Sequence, residues 1–289
     1  MAFFRYPGGK KKLFEIVRAE LLKQCSFEDL EYREPFWGGG GVGIRLIEKH
    51  KEIKKLWIND WDSALCCLWY CVLQYKKELI AKIKDFTPSV EAFYQYKSEL
   101  SSLQGIDGNK PLKSTEIIEL GFKKLVIHQL SYSGLGTMSG GPLGGVKQAS
   151  KYKIDCRWSP KTLCNKIEKI HALLVQVEYI KCTNKDFTEI IDNYDNDAII
   201  YLDPPYYEQG ANLYQHSFTE VQHTKLAESL KNCGHKWILS YDDCEPIRNL
   251  YSWARIISFD VGYSITATKE KDSGKRLSTT KKELIICPA

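Results

Sequence analysis

The residues best suited to covalent chemistry are Asp203-Pro204-Pro205-Tyr206, which follow directly on the apolar run Ala198–Leu202. A strand ending in this tetrapeptide places it at the carboxyl end, where α/β sheets bind ligands. The two prolines fix the backbone and remove two amide donors, leaving carbonyls as free acceptors. The exocyclic NH2 of a nucleic-acid base offers two hydrogens. Asp203 can accept one and the Pro204 carbonyl the other, which draws the nitrogen towards tetrahedral geometry and frees its lone pair for attack on a methyl sulfonium. Tyr206 can stack on the face of the base. A base inside a duplex is out of reach, so the nucleotide has to be flipped out at a cost of roughly a few kcal/mol, which stacking helps to offset. The plainer reading is a rigid strand-to-loop turn with no catalytic role.

A second group is Glu34-Pro35-Phe36-Trp37-Gly38-Gly39-Gly40-Gly41-Val42-Gly43. Glycines after a strand let the backbone approach a ligand closely and permit positive φ. No Gly-Lys-Ser/Thr follows, so this is not a phosphate-binding P-loop; a simple tight turn would also account for it. Asp60 ends the next strand, where an acid commonly binds ribose hydroxyls, although a helix cap or a surface carboxylate would occupy the same place. An adenosine-bearing cofactor fits both groups. S-adenosyl-L-methionine fits better than a dinucleotide, because nothing here needs a pyrophosphate site.

These residues must be positioned by an α/β sheet. Leu13, Phe14, Val17, Leu21 and Leu22 recur at helical spacing, so a helix opens just after Gly8 and Gly9. Residues 53–59 read as a short strand ending at Asn59-Asp60, and an amphipathic helix fills the gap between the glycines and that strand. From Ser63 to about Glu99 the pattern is helical. Residues 101–160 are rich in Gly, Ser, Thr and Tyr and read as an inserted, loop-rich segment without sheet strands. Strand signals of the parallel kind resume at 177–182, 198–202, 236–241 and 254–259. The runs 263–268 and 283–287 read as a hairpin with a long basic turn.

Composition narrows the class without naming it. The chain has 289 residues, 43% hydrophobic and 27% charged, an ordinary globular balance. No run approaches the roughly 20 apolar residues of a membrane span. The start, MAFFRYPGGKKKLFEIV, lacks the order of a secretion signal, so the expected location is the cytoplasm. The ten cysteines lack the paired spacing of a zinc site and read as buried reduced thiols; no metal is expected. A net charge of +5 permits nucleic-acid binding without establishing it. Lys10–Lys12 and the stretch from Lys269 to Lys282 are the basic clusters, each equally readable as a solvated face.

Taken together, Phe4-Arg5-Tyr6-Pro7-Gly8-Gly9-Lys10, then Glu34-Pro35-Phe36 with Gly38–Gly41, then Asp203-Pro204-Pro205-Tyr206 resemble the Dam-type (D12 class) DNA adenine N6-methyltransferases, in the same order and over nearly the whole chain. The resemblance implies a Rossmann-like S-adenosylmethionine-dependent methyltransferase sheet with an inserted, mainly helical/loop target-recognition domain. The expected layout is 1–75 and 166–289 for the catalytic parts and 76–165 for the insertion. It implies that Tyr6, Lys10, Phe36, Gly38, Gly40 and Asp60 hold the cofactor, Lys10 near its carboxylate and Asp60 at its ribose. Asn184-Lys185-Asp186-Phe187 resembles the family's Gly-Asp-Phe segment and places Asp186 and Phe187 near the cofactor's adenine. Asp203 serves both cofactor and target amine, with Pro204 and Tyr206 completing the catalytic group.

The same resemblance implies that Arg5, Tyr132 and Ser133 contact double-stranded DNA, and the basic turn Lys269–Lys282, with Lys275 and Arg276, reads as a set of phosphate contacts. Ser131-Tyr132-Ser133-Gly134-Leu135 is similar to the family's Asn-Gly-containing recognition segment, but Ser133 stands where asparagine is usual and cannot make that residue's bidentate contact. The glycine-rich stretch Ser139–Gly145 reads either as a flexible loop entering a groove or as an irregular surface loop. The expected protein is monomeric in solution and nucleoid-associated when bound to DNA. Two alternatives remain open at this point: an N4-cytosine or RNA-base enzyme using the same chemistry, and a catalytically silent DNA-binding relative.

Overall fold

Ala198–Leu202 is apolar at every position and buried along its whole length, as expected of a central strand covered on both faces. The computed structural model describes residues 11–103, 112–134, 136–208, 218–263 and 279–289. In chain order the helices and strands are α1 (Lys11–Gln24), β1 (Glu31–Glu34), α2 (Gly43–Lys49), β2 (Lys55–Asn59), α3 (Ser63–Gln74), α4 (Lys76–Asp85), α5 (Val90–Ser101), α6 (Ser114–Leu130), α7 (Pro160–Leu174), β3 (Tyr179–Thr183), α8 (Phe187–Ile191), β4 (Ala198–Leu202), α9 (Glu220–Asn232), β5 (Lys236–Asp242), α10 (Glu245–Leu250), β6 (Arg255–Tyr263) and β7 (Thr279–Cys287). They build a seven-stranded sheet in the order β3-β2-β1-β4-β5-β7-β6. The first five strands of that row run parallel, and β7 is antiparallel to both neighbours.

Alternation along the strands divides the core into two. Tyr32, Leu56, Ile58, Ile199, Tyr201, Ile238 and Ile285 join α1, α2, α3 and α7 on one face. Ile200, Leu202, Trp237, Leu239, Leu284 and Ile286 join α8, α9 and α10 on the other. The result is helix, sheet, helix: a mixed α/β, Rossmann-like arrangement.

Two readings of the sequence differ from the structure, and the strand expected before the glycines is unusual in composition. The strand before the glycines is Glu31-Tyr32-Arg33-Glu34, three charged residues in four, yet all are buried. Its charges are paired internally: Arg33 bonds Glu31 Oε2 at 2.8 Å and donates to the carbonyls of Ile190 (3.0 Å), Asn193 (2.6 Å) and Asn196 (3.2 Å). The run 254–259, expected as a further parallel strand, is instead the first arm of the β6–β7 hairpin. Within 101–160, expected as loop, α6 runs for 17 residues, because Phe122, Leu125, Val126, Ile127 and Leu130 bury against α3 and its neighbours. At Gly121 a Cβ would lie 2.9 Å from the backbone of Leu68, so glycine lets α6 and α3 approach at main-chain distance. Leu79, Ile83 and Phe93 of α4 and α5 belong to the same core cluster as the sheet.

Six of the ten cysteines are buried, three are half-buried and Cys156 is exposed. No helix among the described residues is long and apolar enough to cross a membrane.

Candidate functional site

Strand pairing sets the candidate residues in one row. Three positions past the last β1–β4 pair, Arg33↔Ile200, stand Phe36 and Asp203. Two positions past the last β1–β2 pair, Glu34↔Ile58, stand Phe36 and Asp60. The carboxyl ends of β2, β1 and β4 thus present Asp60, Phe36 and Asp203 side by side.

Asp203 is half-buried and held from β5. Leu202 pairs with Leu239, and the next residue, Ser240, donates its hydroxyl to Asp203 Oδ1 at 3.0 Å and to the Leu202 carbonyl at 3.3 Å. Both partners can only accept, so the Tyr201 hydroxyl, 3.0 Å from Ser240 Oγ, is the donor in that contact. Pro204 is buried and Tyr206 half-buried, its ring 6.2 Å from that of Tyr241. The turn that follows is pinned by the buried carboxylate of Asp242, whose oxygens accept from Tyr207 N and Glu208 N, each at 2.9 Å.

The glycine turn is tied to β2. Trp37 N donates to the Asn59 carbonyl at 2.9 Å, and Gly38 and Gly40 take φ of 52° and 64°, the left-handed region that glycine adopts without strain. The Asp60 carboxylate closes this corner: Oδ2 accepts from Gly38 N at 2.8 Å and Oδ1 from Asp62 N at 3.0 Å. Burial, reinforced by the neighbouring Asp62 charge, pushes its carboxyl up to about 6. Trp69 of α3 donates Nε1–H to the Gly38 carbonyl at 2.9 Å. The Asn59 side chain spans three strand ends, donating to the carbonyls of Pro35 (3.1 Å) and Lys185 (3.0 Å) and accepting from Thr183 Oγ1 at 2.7 Å.

Phe187 is buried in a cluster with Phe36 and Phe218, ring centroids 5.5–5.7 Å apart. Asp186 caps α8 by accepting from Thr188 N at 3.0 Å, and also takes Lys225 Nζ at 3.1 Å. Desolvation raises its carboxyl, but the Thr188 and Lys225 contacts outweigh it and the net shift is downward. Directly after α6, Tyr132 is 69% exposed on a 3-10 turn, Tyr132–Gly134. The loop beyond it is braced: Ser139 Oγ donates to the Tyr132 carbonyl at 2.8 Å and Lys97 Nζ to the Ser139 carbonyl at 2.6 Å. Arg5, Tyr6, Lys10, Lys275, Arg276 and the side chain of Ser133 lie outside the described residues. Tyr263 and Thr279 pair at the end of the hairpin, past the Asp242↔Glu283 pair, and residues 264–278 lie outside the described residues.

Asn59, Trp69, Phe218, Ser240 and Asp242 were missed in the sequence. Asn59, Ser240 and Asp242 had a signal, since each lies at the carboxyl end of a readable strand, the position that singled out Asp60 and Asp203.

A largely parallel seven-stranded sheet with a glycine turn after β1, an acid after β2 and Asp-Pro-Pro-Tyr after β4 defines a Rossmann-like methyltransferase. Comparison with known proteins is more specific. Residues 6–265 match the D12 class N6 adenine-specific DNA methyltransferases, and the chain belongs to that family. It is also similar to the type II methyltransferase M.MjaIII of Methanocaldococcus jannaschii, 26% identical over 208 residues, or 71% of this chain and 68% of that protein. The reaction is therefore transfer of a methyl group from a donor to N6 of adenine in DNA.

Proposed function

We propose that the donor is S-adenosyl-L-methionine, held across the strand ends of β1, β2 and β3, and that the target adenine is flipped out of duplex DNA to meet Asp203. The residues fit such a donor. A carboxylate beside a glycine turn suits a vicinal diol, since each Asp60 oxygen keeps a lone pair beyond its backbone bond. The Phe36–Phe187 corner supplies an apolar wall for a purine. Tyr6, Lys10, Gly38, Gly40 and Asp186 complete the donor group. Bound there, the donor supplies an electrophilic methyl carbon on a sulfonium.

The protein's own part is to prepare the nucleophile. Asp203, oriented by Ser240, and the Pro204 carbonyl accept the two hydrogens of the adenine amine, and Tyr206 stacks on the extruded ring. Arg5, Tyr132, Ser133, Lys275 and Arg276 contact the duplex. Residues 76–165 act as the target-recognition domain, while 1–75 and 166–289 form the catalytic part. Likeness to a type II methyltransferase supports a role in restriction-modification.

The observation that carries this reading is the single row of Phe36, Asp60 and Asp203. Incubating unmethylated genomic DNA with protein and S-adenosylmethionine, then sequencing modified bases, should yield N6-methyladenine at one short motif. Asp203→Ala should nearly abolish that product while leaving DNA affinity largely intact. Full activity of the variant refutes the assignment.

A further inference from the structure

A second group of buried charges, unused by the transfer chemistry, lies between the start of α3 and the middle of α6. Asp62 caps α3 through Oδ1, which accepts from Leu65 N at 2.9 Å, and its Oδ2 is paired directly with Lys124 Nζ. The Lys124 side chain is almost wholly buried, which is rare for lysine unless it is paired. Towards the sheet, the pair reaches Asp60 through one backbone bond, Asp62 N to Asp60 Oδ1 at 3.0 Å, and Asp60 in turn holds Gly38 N.

Towards the loop, the link runs through His128, one helical turn after Lys124 on the same face of α6. Its Nδ1 lies 3.2 Å from the Gly134 carbonyl, which can only accept, so that nitrogen carries the proton. Burial, with the Lys124 charge beside it, pushes the imidazole down to about 3 and keeps it neutral. The loop meets the ring again at Gly136, where φ is 60° and a Cβ would lie 3.2 Å from His128 Cε1. Ser131 Oγ donates to the His128 carbonyl at 3.3 Å. Tyr132 projects from this same braced turn. A continuous, tightly packed path therefore joins the glycine turn to the exposed tyrosine, with α6 as its rigid member.

We propose that Lys124 is a positioning residue, locking the acid of the donor corner and the loop 131–145 to one another so that methyl donor and target DNA bind with linked affinities. The inference rests on the assignment of Asp60 to the donor and of Tyr132 to DNA made above. Linkage between two ligands is reciprocal: each tightens the other by the same factor, typically about 5–150-fold.

Calorimetric titration tests it with S-adenosylhomocysteine, which binds without reacting, and a duplex of about twenty base pairs bearing the motif mapped by sequencing. In the natural protein the duplex should tighten S-adenosylhomocysteine about tenfold, and S-adenosylhomocysteine should tighten the duplex equally. The double variant Asp62→Asn/Lys124→Met removes both charges together, keeps a capping side chain and leaves no buried charge alone. Its linkage should fall to within about twofold of none, while each ligand alone binds within about threefold of its natural affinity. Asp62→Asn alone retains an acceptor for the lysine and should give an intermediate factor. Independent binding in the natural protein, or undiminished linkage in either variant, overturns the proposal. Failure of the underlying assignment has a separate signature: Asp60→Ala would leave S-adenosylhomocysteine affinity untouched.

Discussion

Asp242 offers a test of how the Asp203–Glu208 turn is held. Its two oxygens each accept one main-chain N–H, from Tyr207 and Glu208, at 2.9 Å. Asp242→Asn preserves volume and one acceptor, but its amide nitrogen is a donor and faces the other N–H. One hydrogen bond to a charged group, about 1.5–3 kcal/mol, is lost. The segment from Asp203 to Glu208 is otherwise held by the Ser240 bond to Asp203, by the rings of Tyr206 and Tyr207 against Tyr241 and His223, and by its two prolines, so the loss falls on the main-chain turn that sets the direction of Asp203 and Tyr206. At about 1.36 kcal/mol per decade, kcat should drop roughly 10- to 150-fold. Single-turnover transfer of a tritiated methyl group to the mapped duplex measures this directly. KM for the donor should stay within about twofold, because Asp60 and the glycine turn are anchored from β2 and α3. A kcat within about twofold of the natural enzyme would show that the turn holds its shape without Asp242.

Three further outcomes are expected. The Asp60 carboxyl is raised to about 6, and only its ionised form presents two acceptor oxygens, so donor affinity should be full above that pH and fall as pH drops through it; calorimetry with S-adenosylhomocysteine between pH 5 and 7.5 checks this, and Asp60→Asn should flatten the profile. Tyr206→Ala should weaken capture of the extruded base by about 1–3 kcal/mol, read as a smaller rise in 2-aminopurine fluorescence at the target position. Gly43→Ala places a Cβ 2.2 Å from Trp37 Cζ3, so overpacking should destabilise the fold by about 1–3 kcal/mol and lower the thermal midpoint.

What could be read in the sequence follows from how plainly each residue advertises its place. Asp203 and Asp60 follow short β-rich runs, so the strand-end rule finds them. Phe36 and the glycines stand out by composition. The bounds of strand β1 are hidden because Glu31, Arg33 and Glu34 read as surface, and what makes them interior is a local ion pair completed by carbonyls far along the chain. Helix α6 escapes because its apolar residues spread around the helix instead of forming one stripe, and because its neighbours are glycine-rich. Lys124 and His128 read as ordinary helix residues, and their meaning depends on Asp62 lying across from them. Ser240 and Asp242 are small polar residues at a strand end, significant only once β5 is known to lie beside β4.

The central strand also says something about how the chain assembles. Besides Glu31, Arg33 bonds carbonyls 157 to 163 residues away, from the end of α8 to the start of β4. Until ribosome or refolding buffer has delivered that distant stretch, the first strand carries an Arg33–Glu31 ion pair whose remaining guanidinium donors have no buried acceptor, and each buried donor left without one costs about 1–3 kcal/mol. The amino-terminal half is thus not an autonomous folding unit. Its central strand has to wait for the chain to travel through the helical excursion and return, a long-range closure of the kind that makes folding slow.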